Sequence, residues 1–220
     1  MRRGNDGRTR RRNAAATAAP SREPPSGRDA IVAAAATLFM ERGYAATSID
    51  DVADLLGATK GRVYHYYDSK AELFFDVQTT AMQLIQDAVA PIAGSGLPPS
   101  AKLHAMALEH ARVVMRHFTF EKVLVQGIAP HMMRGDTAQK RMRRHVIRMR
   151  DDYEELFAAV IAAGVKSGDF KGGLPPRLAA KPILGALNWL VIWFEPREKG
   201  DESETIARAL ADFALAGLRR

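Results

Sequence analysis

Lys60, Arg62, Tyr64 and His65 crowd into six consecutive residues, and all four can donate hydrogen bonds to phosphate oxygens or base edges. The chemistry they suit is recognition of a polyanion, not bond making. The rest of the chain offers little covalent chemistry. It has no cysteine, no G-x-S-x-G, no phosphate-binding glycine loop and no HExxH pair. His104, His110 and His117 share one helical run, but His110 and His117 lie two turns apart, wider than metal ligation prefers. The expectation is therefore a binding protein with no catalytic residue, no metal and no cofactor.

The four donors need an element that presents them, and their neighbours supply one. Thr47 or Ser48 can N-cap a helix whose first turn holds Asp50 and Asp51, where the helix dipole favours negative charge. Ile49, Val52, Ala53 and Leu56 follow at helical spacing, and Gly57 suits a left-handed helix end. Thr59 then caps a short helix over 60–66, with Val63 as its main buried residue. Asp68 or Ser69 caps the next, with Glu72 placed for a capping box if Ser69 is the cap. So short a helix cannot hold itself together and must be held by packing, which suits a helix presented to a groove. Two short helices joined by a tight turn have the layout of a helix-turn-helix DNA reader.

At these residues the segment Arg28 to Leu73 resembles the DNA-binding domain of the TetR family of bacterial transcriptional regulators. Ile31, Ala35, Leu38 and Phe39 match its first helix and Arg42-Gly43-Tyr44 the following turn. Thr47-Ser48-Ile49 match the second helix start. Residues 60–67 match the recognition helix and its exit, and residues 69–73 the start of a fourth helix. Arg62 departs from the small hydroxyl residue many members carry there. The resemblance implies DNA contacts from Tyr44, Thr47, Ser48, Thr59, Lys60, Gly61, Arg62, Tyr64, His65, Tyr66 and Lys70. Of these, Thr47, Tyr44, Tyr64 and Lys70 would position the backbone, and Lys60, Arg62 and His65 would reach bases.

Composition agrees. Apolar runs follow helical periods, separated by clusters of proline and glycine, and strand-like alternation is almost absent, so the fold class is all-α. A chain of 220 residues suits one core, or a small domain plus a larger one. The expected organisation is a basic tail over 1–27, an N-terminal three-helix helix-turn-helix DNA-binding domain over 28–73, and a C-terminal helical ligand-binding and dimerisation domain over 74–220. The net charge of +7 is uneven: seven arginines against Asp6 and Glu23 give the tail +5. With almost no bulky apolar residue the tail is expected to be disordered without DNA, either as a solvated extension or as an arm on the DNA backbone. No apolar run approaches the ~18 residues of a membrane span. The basic N-terminus lacks the apolar core of a secretory signal, so the expected location is the cytoplasm, at the nucleoid.

Beyond Leu73 the pattern predicts a bundle. Helices are expected over 69–89, 100–118, 121–128 and 136–163, with loops over 91–99, 130–135 and 164–176. Two more follow over 177–194 and 203–218. The helix over 177–194 is apolar nearly all round, with Pro182 either near its true start or kinking it. Leu184, Leu187, Val191 and Phe194, with Ile206, Leu210, Phe213 and Gly217, are expected to meet their two-fold mates in a homodimer; the other reading is a buried core helix in a monomer. The family resemblance implies the same pairing. A dimer would set two recognition helices roughly 34–36 Å apart on double-stranded operator DNA.

Arg141, Arg144 and Arg148 fall on one face of the long helix, beside a stripe that includes Met149 and Tyr153. Such a face suits phosphates, with the stripe receiving an acyl or ring system. It equally suits a solvated surface paired with Asp151, Asp152, Glu154 and Glu155. Residues 153–157, 168–170 and 185–196 resemble a TetR subgroup that represses fatty-acid and sterol-ring degradation and responds to acyl-CoA thioesters. That resemblance implies an acyl-CoA effector, and the candidate residues to hold one are Arg141, Arg144, Arg148, Met149, Tyr153 and Trp189. Trp189 with Trp193, one turn on, also suits interface packing. The alternatives are a free lipophilic or aromatic compound in a methionine-lined pocket, or a DNA-binding regulator without a ligand.

Overall fold

The computed structural model describes residues 27–126, 136–196 and 202–219, and every regular element among them is a helix. The basic tail (Gly27 apart) and the break over 130–135 lie outside the described residues. No helix among the described residues is long and apolar enough to cross a membrane.

Helices α1 (Gly27–Ala46), α2 (Ile49–Leu55) and α3 (Lys60–Tyr64) close around Ile31, Ala35, Phe39, Val52 and Val63, all fully buried. At Gly43 the backbone turns to φ 76°, a region L side chains rarely adopt, and this kink ends the regular part of α1. The turn returns Tyr44 onto Phe39, with ring centroids 5.9 Å apart. Ser48 caps α2: its Oγ accepts from Asp51 N at 3.1 Å, and its own N–H donates to Asp51 Oδ2 at 2.7 Å. The α2–α3 turn passes through Gly57 at φ 59°. Helix α3 ends two residues earlier than expected, and is held by Val63 and Tyr67, both in the core.

Helix α4 (Lys70–Ala93) starts in this small unit and continues into the larger one. Ser69 is its cap, accepting from Glu72 N at 3.2 Å, while Glu72 Oε2 accepts from Asp68 N at 2.9 Å. The helix does not stop at Pro91 as expected. Pro91 is exposed in the last turn, where a missing N–H forfeits a single hydrogen bond. Helices α5 (Pro99–Arg116) and α6 (Phe118–Val125) follow, α5 opening on Pro99 at its first turn instead of on a Ser100 cap.

Helix α7 (Thr137–Ser167) is capped by Asp136, whose Oδ1 accepts from Gln139 N at 2.8 Å. It runs one turn past the expected end at Ala163, to Gly168. Gly164 is not a terminator but a notch for the fully buried Phe170, whose N–H donates to Gly164 O at 3.0 Å. A Cβ at 164 would lie 2.1 Å from that ring. Gly164→Val is expected to cost about 3 kcal/mol or more, seen as a lower urea midpoint at unchanged m-value.

The apolar stretch expected as one helix divides into α8 (Pro176–Asn188) and α9 (Leu190–Trp193), with Pro182 exposed inside α8. Helix α10 (Ser203–Ala216) lies against α5 through the buried small residues Ala207, Ala211 and Ala214. The Arg112 guanidinium clamps it with a two-point bond to Glu204, at 2.7 and 2.9 Å.

Candidate functional site

Two regions gather the residues that can act on other molecules. The first is the outer surface of α3 and its exit. Val63 and Tyr67 anchor the inner side, which leaves Thr59, Lys60, Gly61, Arg62, Tyr64, His65 and Tyr66 exposed together. The Lys60 ammonium is hydrogen-bonded to Asp50 of α2, and that carboxylate raises its pKa. A phosphate would have to compete with Asp50 for it.

Four other expected DNA contacts, Thr47, Lys70, Tyr44 and Ser48, behave differently. Thr47 is buried, and its hydroxyl oxygen lies 2.9 Å from Gly43 O and 3.2 Å from Leu38 O, sharing one O–H between two carbonyls of the α1 end. Lys70 Nζ donates to Thr47 O at 2.7 Å, Tyr44 O at 2.8 Å and Ala45 O at 3.3 Å, and sits 4.4 Å over the Tyr44 ring. Burial lowers its pKa. The Tyr44 ring itself packs on Phe39 and, edge-on at 4.9 Å, on Phe74. Ser48 is exposed but its side chain serves the α2 cap. These four residues tie the end of α1 to α2 and α4. Lys70→Met is therefore expected to destabilise the protein by about 1–3 kcal/mol, by stranding carbonyls, and to leave the salt dependence of DNA binding unchanged. A denaturant titration and a salt series check the two halves.

The second region is a cavity of about 360 Å³ between α4, α5, α6, α7 and α8. Its apolar lining includes Met82, Ile85, Leu124 and Leu184, and its exposed rim carries Arg150, Asp151 and Lys181. Deeper in the wall sit four polar side chains: His110, Glu121, Tyr153 and Asn188. His110 Nδ1 is 2.9 Å from the Tyr153 hydroxyl. Burial pushes His110 down to about 4, offset in part by Asn188, so its ring is neutral at pH 7. Burial pushes Glu121 up to about 8, making it predominantly a neutral carboxylic acid. Tyr153 is raised by burial and by the nearby Glu121.

A family model described as "Bacterial regulatory proteins, tetR family" matches residues 31–77, and one described as "Tetracyclin repressor-like, C-terminal domain" matches residues 96–218. The chain belongs to the TetR family. Its family is one of DNA-binding transcriptional regulators, not enzymes. Among curated relatives, the repressor KstR2 of Rhodococcus jostii is 28% identical over 185 residues, covering 84% of this chain and 87% of that protein. The solved regulator PfmR of Thermus thermophilus is 32% identical, with TM-score 0.74 over 88% of this chain and 97% of its own. AibR, solved in complex with isovaleryl coenzyme A and operator DNA, shares the fold at 22% identity, with TM-score 0.70 over 88% and 98% of the two chains.

In this TetR-family chain the residues expected to hold an effector are not brought together. Only Tyr153 lines the cavity. Arg141 and Arg148 line a different groove, against Arg28, Tyr67 and Asp76 of the small unit. Arg144 is exposed and lines neither, Met149 packs on the core, and Trp189 is 59% exposed. Glu154 and Glu155, expected beside the arginine face, instead pair with Lys181 at 2.9 Å and Arg177 at 2.7 Å of α8. Of the methionines expected to line a lipophilic pocket, Met82 lines the cavity and Met142 the groove, Met106, Met115 and Met149 line neither, and Met132 and Met133 lie outside the described residues.

The expected interface residues divide in the same way. Leu187 and Val191 are buried within the protomer, Leu184 lines the cavity, and Phe194 packs on Phe118 at 6.0 Å. Ile206 and Leu210 are half-buried on the core, whereas Phe213 and Gly217 are exposed. The outward apolar side chains of α8, α9 and α10 are Leu178, Trp189, Ile192, Trp193 and Phe213. Sequence reading passed over Glu121, Asn188 and the role of His110. A signal existed for Glu121: it stands three residues before Leu124 and three after Phe118, within an apolar stripe.

Proposed function

We propose that this TetR-family chain is a homodimeric repressor that grips a palindromic operator with two copies of α3 and lets go when a CoA thioester enters the α4–α8 cavity. The observation that carries the reading is the cavity itself, an apolar hollow whose exposed rim holds Arg150 and Lys181. The hollow suits an acyl group, and the rim cations suit the phosphates of CoA. The Arg141 and Arg148 groove offers a second cationic surface on the same helix. The AibR complex, with a CoA thioester and operator DNA on one fold, supports the pairing of the two ligands. Repression accords with the curated description of KstR2. An inducer acts by preferring the conformation that does not bind DNA, and the cavity touches α4, the helix continuous with the DNA-reading unit.

Fluorescence anisotropy on DNA flanking the gene, at fixed salt, tests this with acyl-CoA thioesters and their free acids. Release by thioesters alone is the expected result. Binding that no thioester disturbs rejects the CoA reading and favours a free lipophilic effector or regulation without a ligand. In the same assay Arg62→Ala is expected to lose about 1–3 kcal/mol per half-site and to relax base preference at one operator position. Arg62 is exposed, so the variant's melting temperature should match the wild type's. Unchanged operator preference would mean that Arg62 reads no base.

A further inference from the structure

The cavity contains a feature that a plain acyl chain does not explain. Glu121 and His110 are each 1% exposed, and neither Glu121 Oε1 nor His110 Nε2 has a partner in hydrogen-bond geometry among the described residues, although the Asn188 side chain lies near enough to His110 to offset part of its shift. Both side chains line the same cavity wall, on α6 and α5. A buried polar atom left unpaired is costly, and a saturated hydrocarbon lying against two of them would keep both unpaired. Apolar side chains would serve such a ligand better at both positions.

We infer that Glu121 and His110 are specificity-determining residues, and that the buried end of the effector carries an uncharged oxygen, a carbonyl or a hydroxyl, which hydrogen-bonds to Glu121 and to His110 Nε2. The inference deepens the effector reading and rests on it. The protonation states favour an uncharged group over an ion. Glu121 is predominantly a neutral acid at pH 7, so it donates an O–H and accepts at its other oxygen. His110 is neutral, and Tyr153 selects its tautomer. If Tyr153 donates to Nδ1, Nε2 carries the proton and donates to a carbonyl. If Nδ1 donates to Tyr153, Nε2 accepts from a hydroxyl. The charged groups Arg150, Asp151 and Lys181 stand at the exposed rim, where they meet the opposite end of the ligand. The effector class is thus an oxygenated apolar acyl group, read at both ends.

Two measurements on the full-length protein test this. Titration calorimetry compares 9-oxodecanoyl-CoA with decanoyl-CoA, and 9-oxodecanoic acid with decanoic acid. The oxo member of a pair should bind at least about tenfold tighter, because a site built to hydrogen-bond a ligand oxygen rejects the analogue lacking it. Glu121→Leu should erase that preference, and Glu121→Gln, which keeps a donor, should retain part of it. Equal or tighter binding of the saturated member, or an undiminished preference in Glu121→Leu, overturns the inference. Binding of the acids but not the thioesters rejects the CoA reading while the oxo preference still decides this one. The second measurement needs no ligand. Glu121→Leu should raise the melting temperature at pH 7, since it removes an unpaired buried polar group from a site kept for a ligand. A lowered melting temperature would show Glu121 to be a satisfied structural residue and overturns the inference even if no probe binds.

Discussion

Replacing Phe213 and Trp193 together by glutamate is expected to yield a folded monomer whose operator affinity is at least about a hundredfold weaker. Phe213 is 66% exposed and Trp193 48%, large apolar surfaces that a second copy of the chain would remove from water. They stand with Trp189 and Ile192 on α8–α10, and a two-fold partner would bury each of them twice. Four aromatic side chains buried at about 1.5–3 kcal/mol each stabilise a dimer strongly, and a carboxylate in the same place reverses the sign. A monomer can engage one half-site only and loses the second recognition helix. Sedimentation velocity gives the mass and anisotropy the affinity. Since both side chains are exposed in the protomer, far-ultraviolet circular dichroism should be unchanged. A double variant that remains a dimer with full operator affinity would show that dimerisation uses another face. Leu187→Glu is no substitute for this test, because Leu187 is buried in the protomer's own core and its loss would unfold the chain.

The second expected result is a stability that falls as pH rises from 6.5 to 8, by on the order of 2 kcal/mol, and a Glu121→Gln variant in which that fall is absent. Glu121 is pushed up from 4.5 to about 8, so between those values the folded state holds a proton that the unfolded state has released. Its contribution is fully present below 4.5 and is lost as pH rises through 8. His110 works in the opposite sense. It is lowered from 6.5 to about 4, so its contribution is present above 6.5 and is lost on acidification through 4. Between 4.5 and 6.5 the two slopes oppose each other, and above 6.5 the slope of Glu121 remains. Each pH unit then costs about 1.4 kcal/mol. Tyr153, Arg150, Asp151, Glu154 and Lys181 share the cavity wall, and burial raises Tyr153 further from that window. Urea titrations from pH 5 to 8.5 give the profile. A flat wild-type profile above 6.5 would mean that Glu121 is ionised in the folded protein.

How much of this was legible in the chain varies by element. Residues 47–73 could be read almost residue by residue, because caps, turn glycines and a short amphipathic helix are encoded locally. Ser48, Gly57 and Ser69 act as their types and spacing suggest. Helix ends marked by proline or glycine misled where tertiary contacts overrode the local signal. Pro91 sits inside α4 because its ring faces solvent, and Gly164 sits inside α7 because Phe170 needs its missing side chain. The family, too, was readable from the chain, since a run of closely matching residues carries it.

Sequence by itself determined the all-α class, the helix-turn-helix and the exposed donors of α3, because each depends on neighbours within a few turns. Tertiary structure alone decided which side of an all-apolar helix faces its own core. Leu187 and Val191 turn inward while Trp189 and Trp193 turn outward, and periodicity cannot distinguish two apolar faces. It also decided that Thr47 and Lys70 bind the end of α1, since their acceptors are backbone carbonyls that no residue type announces. Above all it brought Glu121 of α6 beside His110 of α5 and Tyr153 of α7. Side chains so far apart in sequence acquire a shared low-dielectric wall, and with it their unusual protonation states, only when the helices pack.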